Sequence, residues 1–165
     1  PLIWAISPKD PCFIIKIFDI RYLNLVNQFI TQMTNKSKKI QSEISAGELL
    51  DKISILEIKL DKIKNPSNHE QIKKEYDLLK EVQNSNIEIN NEIKKLCADL
   101  KAVNLTLWDV EDKIRICEKN KDFTSEFIEL ARAVYSNNDK RAKIKSDINE
   151  MLGSNIREIK QYVNY

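Results

Sequence analysis

The chain has 165 residues, 42% of them hydrophobic, which is enough for one domain with a buried core. Only two residues are glycine, and this scarcity argues against β-sandwiches, barrels and Rossmann-type sheets, whose turns and phosphate loops need glycine. The 27 basic and 25 acidic residues are interleaved along the chain, so the basic stripe typical of nucleic-acid-binding proteins is missing and a nucleic acid is not the expected partner.

The first 32 residues differ in composition from the rest of the chain. They hold three of the four prolines and an aromatic and aliphatic patch that charged residues interrupt, so no membrane-spanning segment is predicted. Met33 is followed by a polar, basic stretch at residues 34–39. We therefore expect residues 1–32 to be a non-native upstream extension or a flexible N-terminal segment, and residues 33–165 to form a single helical domain. A strand or amphipathic helix packed on that domain is the alternative for residues 1–32.

The first predicted helix begins at Ser45. Ser45 and Glu48 match a capping box, in which each side chain satisfies a backbone N–H group at the helix start. Apolar residues then recur at intervals of four and three up to Ile63, as in a helix that lays one stripe against partner helices. The helix should end near Asn65, because Pro66 disfavours helical geometry in the residue before it.

A second helix is predicted after a short turn. Ser67 and Glu70 match another capping box, so the chain should return antiparallel to the first helix. From Ile89 to Cys117 an apolar residue falls at every third or fourth position, which is the heptad seam of a coiled-coil-like helix. Asn86 lies on a core position of this seam, where it either fixes the register of a continuous helix or marks a kink.

The predicted fold is all-α. A long antiparallel hairpin spans residues 45–119, and two to three shorter C-terminal helices over residues 122–163 pack with it into an elongated bundle. Gly153 ends a helix, because glycine readily adopts positive φ, and residues 154–165 form a last helical piece. The first helix is too short to cover the seam, so the rest must pack on the C-terminal helices or on a second subunit.

One polar cluster surrounds Trp108 in the second half of the seam. Its charged members are Asp109, Glu111, Asp112 and Arg115. Trp108 lies beside the seam and should pack on the third helix or on another subunit. Pairs of Arg115 with the acidic residues three and four positions before it contribute only about 0.2–0.5 kcal/mol each when exposed. An inter-helix anchor with a solvated charged flank is favoured over a binding surface.

A second polar cluster recurs at helical intervals nearer the C-terminus. Its members are Arg132, Tyr135, Asn138, Asp139, Arg141, Lys145 and Asn149. The last three are spaced four residues apart and so share one helix face. Such a basic face can bind an oxyanion, or it can pair with the acidic flank around Asp109 and Asp112. An internal salt-bridge network is favoured over a ligand site.

Four segments carry a family resemblance: SAGELLDKISILEIKL, LWDVEDKIR, LARAVYSNNDKRAKIK and LGSNIREIKQY. Together, over residues 42–165, they resemble a small bacterial family of all-helical proteins known only as a domain of unknown function. This resemblance implies a bacterial or phage cytoplasmic protein and no particular activity. Residues 48–63 are also similar to the opening helix of all-helical chorismate mutases, whose arginines and lysines clamp a dicarboxylate. This helix has no arginine, so bidentate contacts are missing and Lys52, Lys59 and Lys62 would have to replace them.

No motif in the sequence predicts catalysis, a metal site or a cofactor. His69 is the only histidine, and three scattered cysteines match no zinc or disulfide pattern and suit a reducing cytosol. The leading hypothesis is a non-enzymatic homo-oligomeric scaffold or interaction module, with itself or another helical protein as partner. The alternative is a protein or enzyme that binds a sugar phosphate, nucleotide or dicarboxylate through Arg132, Arg141 and Lys145.

Overall fold

The computed structural model describes residues 40–161, so the expectations for residues 1–32 and for Met33 lie outside the described residues. Within this range the chain forms helices and no strands, which confirms the all-α prediction. The helices are α1 (Ala46–Lys62), α2 (Pro66–Asn86), α3 (Asn91–Asn120) and α4 (Ser125–Met151). None of these four helices carries the long apolar run that crossing a lipid bilayer requires.

Capping residues set the starts of α1 and α2. The Ser45 hydroxyl accepts the Glu48 backbone N–H at 3.3 Å, as predicted. The other half of the predicted capping box is wrong, because the Glu48 carboxylate contacts Lys145 and not the Ser45 N–H. α2 starts earlier than predicted, because its N-cap is Asn65, whose side chain accepts a backbone N–H at 3.1 Å. Pro66 then occupies the first helical position, where a missing N–H does no harm. The predicted cap at Ser67 is therefore wrong, since this residue already lies inside the helix.

The heptad seam does not continue from α2 into α3. α2 ends at Asn86, whose side chain donates to the Val82 carbonyl at 2.7 Å. α3 begins after Asn90, whose side chain accepts the Ile93 backbone N–H at 2.8 Å. An asparagine side chain thus bonds to the backbone at each of the two helix ends that flank the break. A continuous helix through this stretch is therefore wrong, and the interruption lies at residues 87–90, just after Asn86.

α4 is a single helix where the sequence predicted two or three shorter ones. Its polar stretch at 136–139 remains helical, because the side chains of Asn137 and Asn138 donate to the carbonyls of Ala133 and Val134 at 2.7 and 3.1 Å. These bonds run four residues back along the helix, so the side chains do not compete for a new cap. The sequence left open whether the helix continues through this stretch or restarts in it, and the structure shows that it continues.

α4 ends at a glycine, as predicted. Gly153 has a φ of 63°, and the N–H groups of Gly153 and Ser154 donate to the carbonyls of Glu150 and Asn149 at 3.2 and 2.9 Å. This pair of bonds is the Schellman motif, which closes a helix and turns the chain away. Residues 154–161 are not helical, so the predicted last helical piece is wrong within the described residues.

α1 lies at the centre of the packing, since it contacts each of the other three helices. The backbone of α2 approaches only α1, whereas α3 and α4 pack against each other along much of their length. The core forms where Leu50 of α1 meets Ile93 and Leu100 of α3 and Ile148 of α4. The seam residue Ile89 lies outside this core and is exposed. This packing places the start of α1 against the end of α4.

Candidate functional site

The start of α1 and the end of α4 approach each other closely. The Gly47 N–H donates to the Asn149 side-chain oxygen at 2.7 Å, and the Ala46 N–H donates to the Ser154 hydroxyl at 3.1 Å. These N–H groups belong to the first turn of α1 and have no acceptor inside the helix. A Cβ atom on Gly47 would lie 2.6 Å from the Lys145 carbonyl oxygen, so this approach requires glycine.

Arg141 of α4 binds a buried carboxylate of α1. Its Nε donates to Asp51 Oδ1 at 2.9 Å and its Nη2 donates to Oδ2 of the same carboxylate. The Asp51 side chain is 3% exposed and also accepts from Asn104 Nδ2 of α3 at 2.8 Å. That amide group donates in addition to the Ser54 hydroxyl at 2.7 Å. One carboxylate thus links three helices.

The bond to Asp51 also fixes the charge of Arg141. This hydrogen bond raises the pKa of Arg141 above its already high ordinary value, although partial burial works in the opposite direction. The guanidinium therefore stays protonated at neutral pH. Bidentate pairing of this kind is among the stronger polar contacts in proteins.

Lys145 forms a second link one turn further along α4. Its ammonium group contacts the Glu48 carboxylate of α1 and lies 3.0 Å from Glu158 Oε2, while its side chain is only 9% exposed. Burial alone would lower the pKa of Lys145, but the hydrogen bonds to Glu48 and Glu158 outweigh burial and raise it. The contact with Lys145 lowers the pKa of Glu158. Both groups are therefore charged across the neutral range.

The basic face predicted on α4 is thus paired inside the chain. Arg141 and Lys145 meet carboxylates of α1 and of the segment after α4, whereas the sequence offered the flank around Asp109 and Asp112 as the partner. Within residues 40–161 no buried side-chain nitrogen or oxygen lacks a hydrogen bond. We call the contacts of Arg141, Lys145 and Asn149 with α1 the α1–α4 network.

A cleft of about 390 Å³ opens beside this network, between α1, α3 and α4. Its apolar wall is formed by Ile55, Ile58, Leu107 and the indole of Trp108. Its polar wall combines residues of both predicted clusters, namely Glu111, Asp112 and Arg115 from the first and Asn138 and Arg141 from the second, together with Asn104. We call this feature the Trp108 cleft. It brings together side chains that are widely separated in the sequence.

The Trp108 cleft has the chemistry of a binding surface. Arg115 pairs with Glu111 at 2.8 Å and with Asp112 at 3.7 Å, and all three side chains are exposed. Exposed pairs of this kind contribute at most about 1 kcal/mol, so a partner can exchange with them. Neither histidine, cysteine nor serine is among the described residues that line the cleft, and no cluster in residues 40–161 is arranged to hold a metal ion.

Comparison of the sequence with known protein families gives a match. A family model matches residues 40–164, a range that contains all four helices and both polar clusters. The chain belongs to DUF6165, a family of unknown function. The family resemblance predicted over residues 42–165 is thereby confirmed. Searches of curated proteins and of solved structures give no match for this DUF6165 chain.

Some predicted site residues of the DUF6165 domain lie away from the cleft. Asp109 pairs with Lys62 of α1 at 3.0 Å, and Arg132 pairs with Glu129 at 2.9 Å on the surface of α4. The predicted residues that do not line the cleft are Asp109, Arg132, Tyr135, Asp139, Lys145 and Asn149. Lys145 and Asn149 belong to the α1–α4 network, whereas Arg132 bonds to a neighbour on its own helix.

The α1 side of the network was not predicted from the sequence. Gly47, Asp51, Ser54 and Ile58 recur at helical intervals and form one stripe of α1. The sequence did contain one signal for this stripe. Three of its four residues are small or polar although the helix is largely buried, and buried polar groups need partners. Asn104 gave no comparable signal, because it stands beside the apolar seam rather than in a polar pattern.

Proposed function

We propose that this chain is a non-enzymatic interaction module that self-associates through the end of the α3–α4 pair. The supporting observation is a group of large apolar side chains in solvent around the turn between these helices. Ile116, Phe123 and Ile128 are 57%, 53% and 49% exposed. We call these three residues the apolar tip. Exposed apolar patches are typical of protein interaction sites.

A second copy of the chain is the partner that suits the tip best. Each copy contributes α3 and α4, so two tips packed together would form a four-helix arrangement, a common way to bury such faces. Acidic and basic residues are present in nearly equal number along residues 111–132, so this stretch has little net charge to drive two copies apart. The elongated, antiparallel and coiled-coil-like arrangement expected from the heptad spacing is part of this proposal.

The proposed setting is the cytoplasm of a bacterium or phage-infected cell. The resemblance of the four sequence segments supports this origin. Cys97 and Cys117 are free thiols, which is compatible with a reducing compartment.

The alternative function, binding of an anionic metabolite through Arg132, Arg141 and Lys145, has weaker support. Each of these cations has a carboxylate partner: Glu129, Asp51 and Glu48, respectively. A ligand would have to displace three internal contacts, one of which is with a buried group.

Light scattering of the column-separated full chain tests self-association. We expect a mass above that of one chain, and a double variant, Phe123→Glu with Ile128→Glu, should reduce it to one chain because carboxylates would be buried in the contact. Leu78→Glu is the matched control, since Leu78 is an exposed apolar residue of α2 and should leave the mass unchanged. A single-chain mass for the unmodified protein at all concentrations would contradict the proposal.

A further inference from the structure

A second cavity, of about 350 Å³, lies between α4 and the segment that follows it. Its polar lining consists of Lys145, Ser146 and Asn149 of α4 and Arg157, Glu158 and Lys160 of the segment. We call it the Lys145 pocket. The segment is held in place by specific bonds, since Ser154 accepts the Ala46 N–H at 3.1 Å and Asn155 donates to Glu43 at 3.0 Å. The pocket is therefore a built feature of the domain.

The Lys145 pocket carries an excess of positive charge. Three cations line it, whereas Glu158 is the only carboxylate among its described lining residues. The Glu48 carboxylate contacts Lys145 from the α1 side, so Arg157 and Lys160 are the cations without a partner on α1. Arg157 has no ion-pair partner within residues 40–161. An arginine side chain carries five N–H donors, so this guanidinium offers a full set of bonds to a ligand. Charge complementarity favours an anion.

Glu158 already occupies part of the position that such an anion would take. Its carboxylate lies 3.0 Å from Lys145 Nζ and 3.5 Å from Lys160 Nζ. The Glu158 side chain is partly exposed and sits on a non-helical segment, so it can turn toward solvent when another anion arrives. A phosphate brings up to twice the charge of a carboxylate and more acceptor oxygens. It can therefore compete with Glu158 where a simple carboxylate cannot.

We propose that the Lys145 pocket binds a phosphate group, free or as an ester, through Lys145, Arg157 and Lys160, and that Glu158 is an intramolecular competitor for the same cations. The pocket is formed by residues outside the apolar tip. This inference is therefore independent of self-association, and the tip double variant should bind phosphate as the unmodified chain does.

Titration calorimetry of the full chain with inorganic phosphate, at constant ionic strength, tests this site. We expect measurable binding of phosphate and none of acetate. Arg157→Gln should weaken phosphate binding about tenfold, because one charge-assisted contact is lost. Glu158→Gln should tighten it by a similar factor, because the competitor loses its charge. Arg132→Gln is the matched control, since it removes an α4 arginine outside the pocket, and it should leave the affinity unchanged.

The direction of the Glu158→Gln effect decides the proposal. Unchanged or weaker phosphate binding in this variant would overturn the role of Glu158. Equal effects of Arg157→Gln and Arg132→Gln, or phosphate binding no tighter than that of acetate, would overturn the site itself. Glycerol phosphate distinguishes the two sources of the ligand, because a pocket that recognises an ester binds it at least as tightly as the free ion.

Discussion

Asp51 links three helices through one carboxylate. Its oxygens accept hydrogen bonds from Arg141 of α4 and Asn104 of α3, and almost none of its surface reaches solvent. A buried carboxylate without such donors would be strongly unfavourable. The arrangement makes Asp51 and Arg141 depend on each other, so their substitutions should not be additive.

We expect Asp51→Ala to lower the free energy of unfolding by about 3 kcal/mol, because it leaves the partly buried Arg141 guanidinium without its partner. Adding Arg141→Met should recover part of this loss, since the double variant buries neither charge. Arg132→Ala, which removes an exposed pair, should change the free energy by less than about 0.5 kcal/mol. Urea unfolding followed by circular dichroism measures all three. Equal losses for Asp51→Ala and Arg132→Ala would contradict this view of the network.

At the scale of elements, α1 and α4 are joined through backbone as well as side chains. The absence of a side chain at Gly47 allows the two helices to touch. Replacing glycine by alanine inside a helix normally stabilises it by about 0.5–1 kcal/mol. At Gly47 we expect the same substitution to destabilise the protein, because the added methyl group would clash with the Lys145 carbonyl.

Gly47→Ala should therefore lower the free energy of unfolding by about 2 kcal/mol, the range typical of overpacking. Gly153→Ala is the matched control. Outside residues 152–154, no heavy atom of the described chain lies within 4 Å of the position that a Cβ atom of residue 153 would occupy. The loss there should therefore reflect positive φ alone, at about 1 kcal/mol. Thermal and urea unfolding compare the two variants. A smaller loss for Gly47→Ala than for Gly153→Ala would show that the helices can separate easily.

Capping residues in the sequence correctly predicted two of the helix ends. Ser45 and Gly153 are found in their expected roles, because a side-chain cap and a positive φ act on the adjacent turn alone. Asparagine was ambiguous: Asn90 caps a new helix, whereas Asn137 continues one by bonding to a carbonyl four residues back. The choice between these states depends on packing, so the break before α3 and the continuity of α4 could not be predicted from sequence.

The candidate site could also be predicted only in part, because helix packing decides which faces meet. The spacing of polar residues identified the α3 and α4 sides of the Trp108 cleft, because both lie in periodic patterns. The helix that closes the cleft could not be identified, since Arg141 and its partner Asp51 stand 90 residues apart in the chain. Periodicity shows that a face exists, whereas its partner depends on how the helices pack.

At the scale of the whole molecule, ion pairs between α4 and the following segment make stability depend on pH. The pKa of Glu158 is lowered by its contact with Lys145, so its contribution is present above the ordinary glutamate range and disappears as pH falls through the lowered pKa. The pKa of Lys145 is raised, so its contribution is present below the ordinary lysine range and is lost only as pH rises through the raised pKa. Neutral pH retains both contributions.

We expect the stability difference between the unmodified chain and Glu158→Gln to be constant from about pH 6 to pH 9 and to shrink below about pH 4.5, where glutamate becomes protonated. The chain loses the ion pair in this range, whereas the variant has none to lose. Urea unfolding at a series of pH values provides the measurement. A difference that persists unchanged at acid pH would show that the ion pair with Lys145 contributes nothing to stability.

The first turn of α1 takes hydrogen-bond acceptors from residues more than a hundred positions later. Ala46 and Gly47 donate to Ser154 and Asn149, across separations of 108 and 102 residues. During synthesis the chain leaves the ribosome N-terminus first, at about 5–20 residues per second, so α1 emerges before these acceptors have been made. Ser45, Asn65 and Asn90 give α1, α2 and α3 a local cap each, but α1 also has two first-turn N–H groups whose acceptors are made much later. Of the four described helices α1 is made first, yet its first turn can form all of its hydrogen bonds only after Ser154 has been translated.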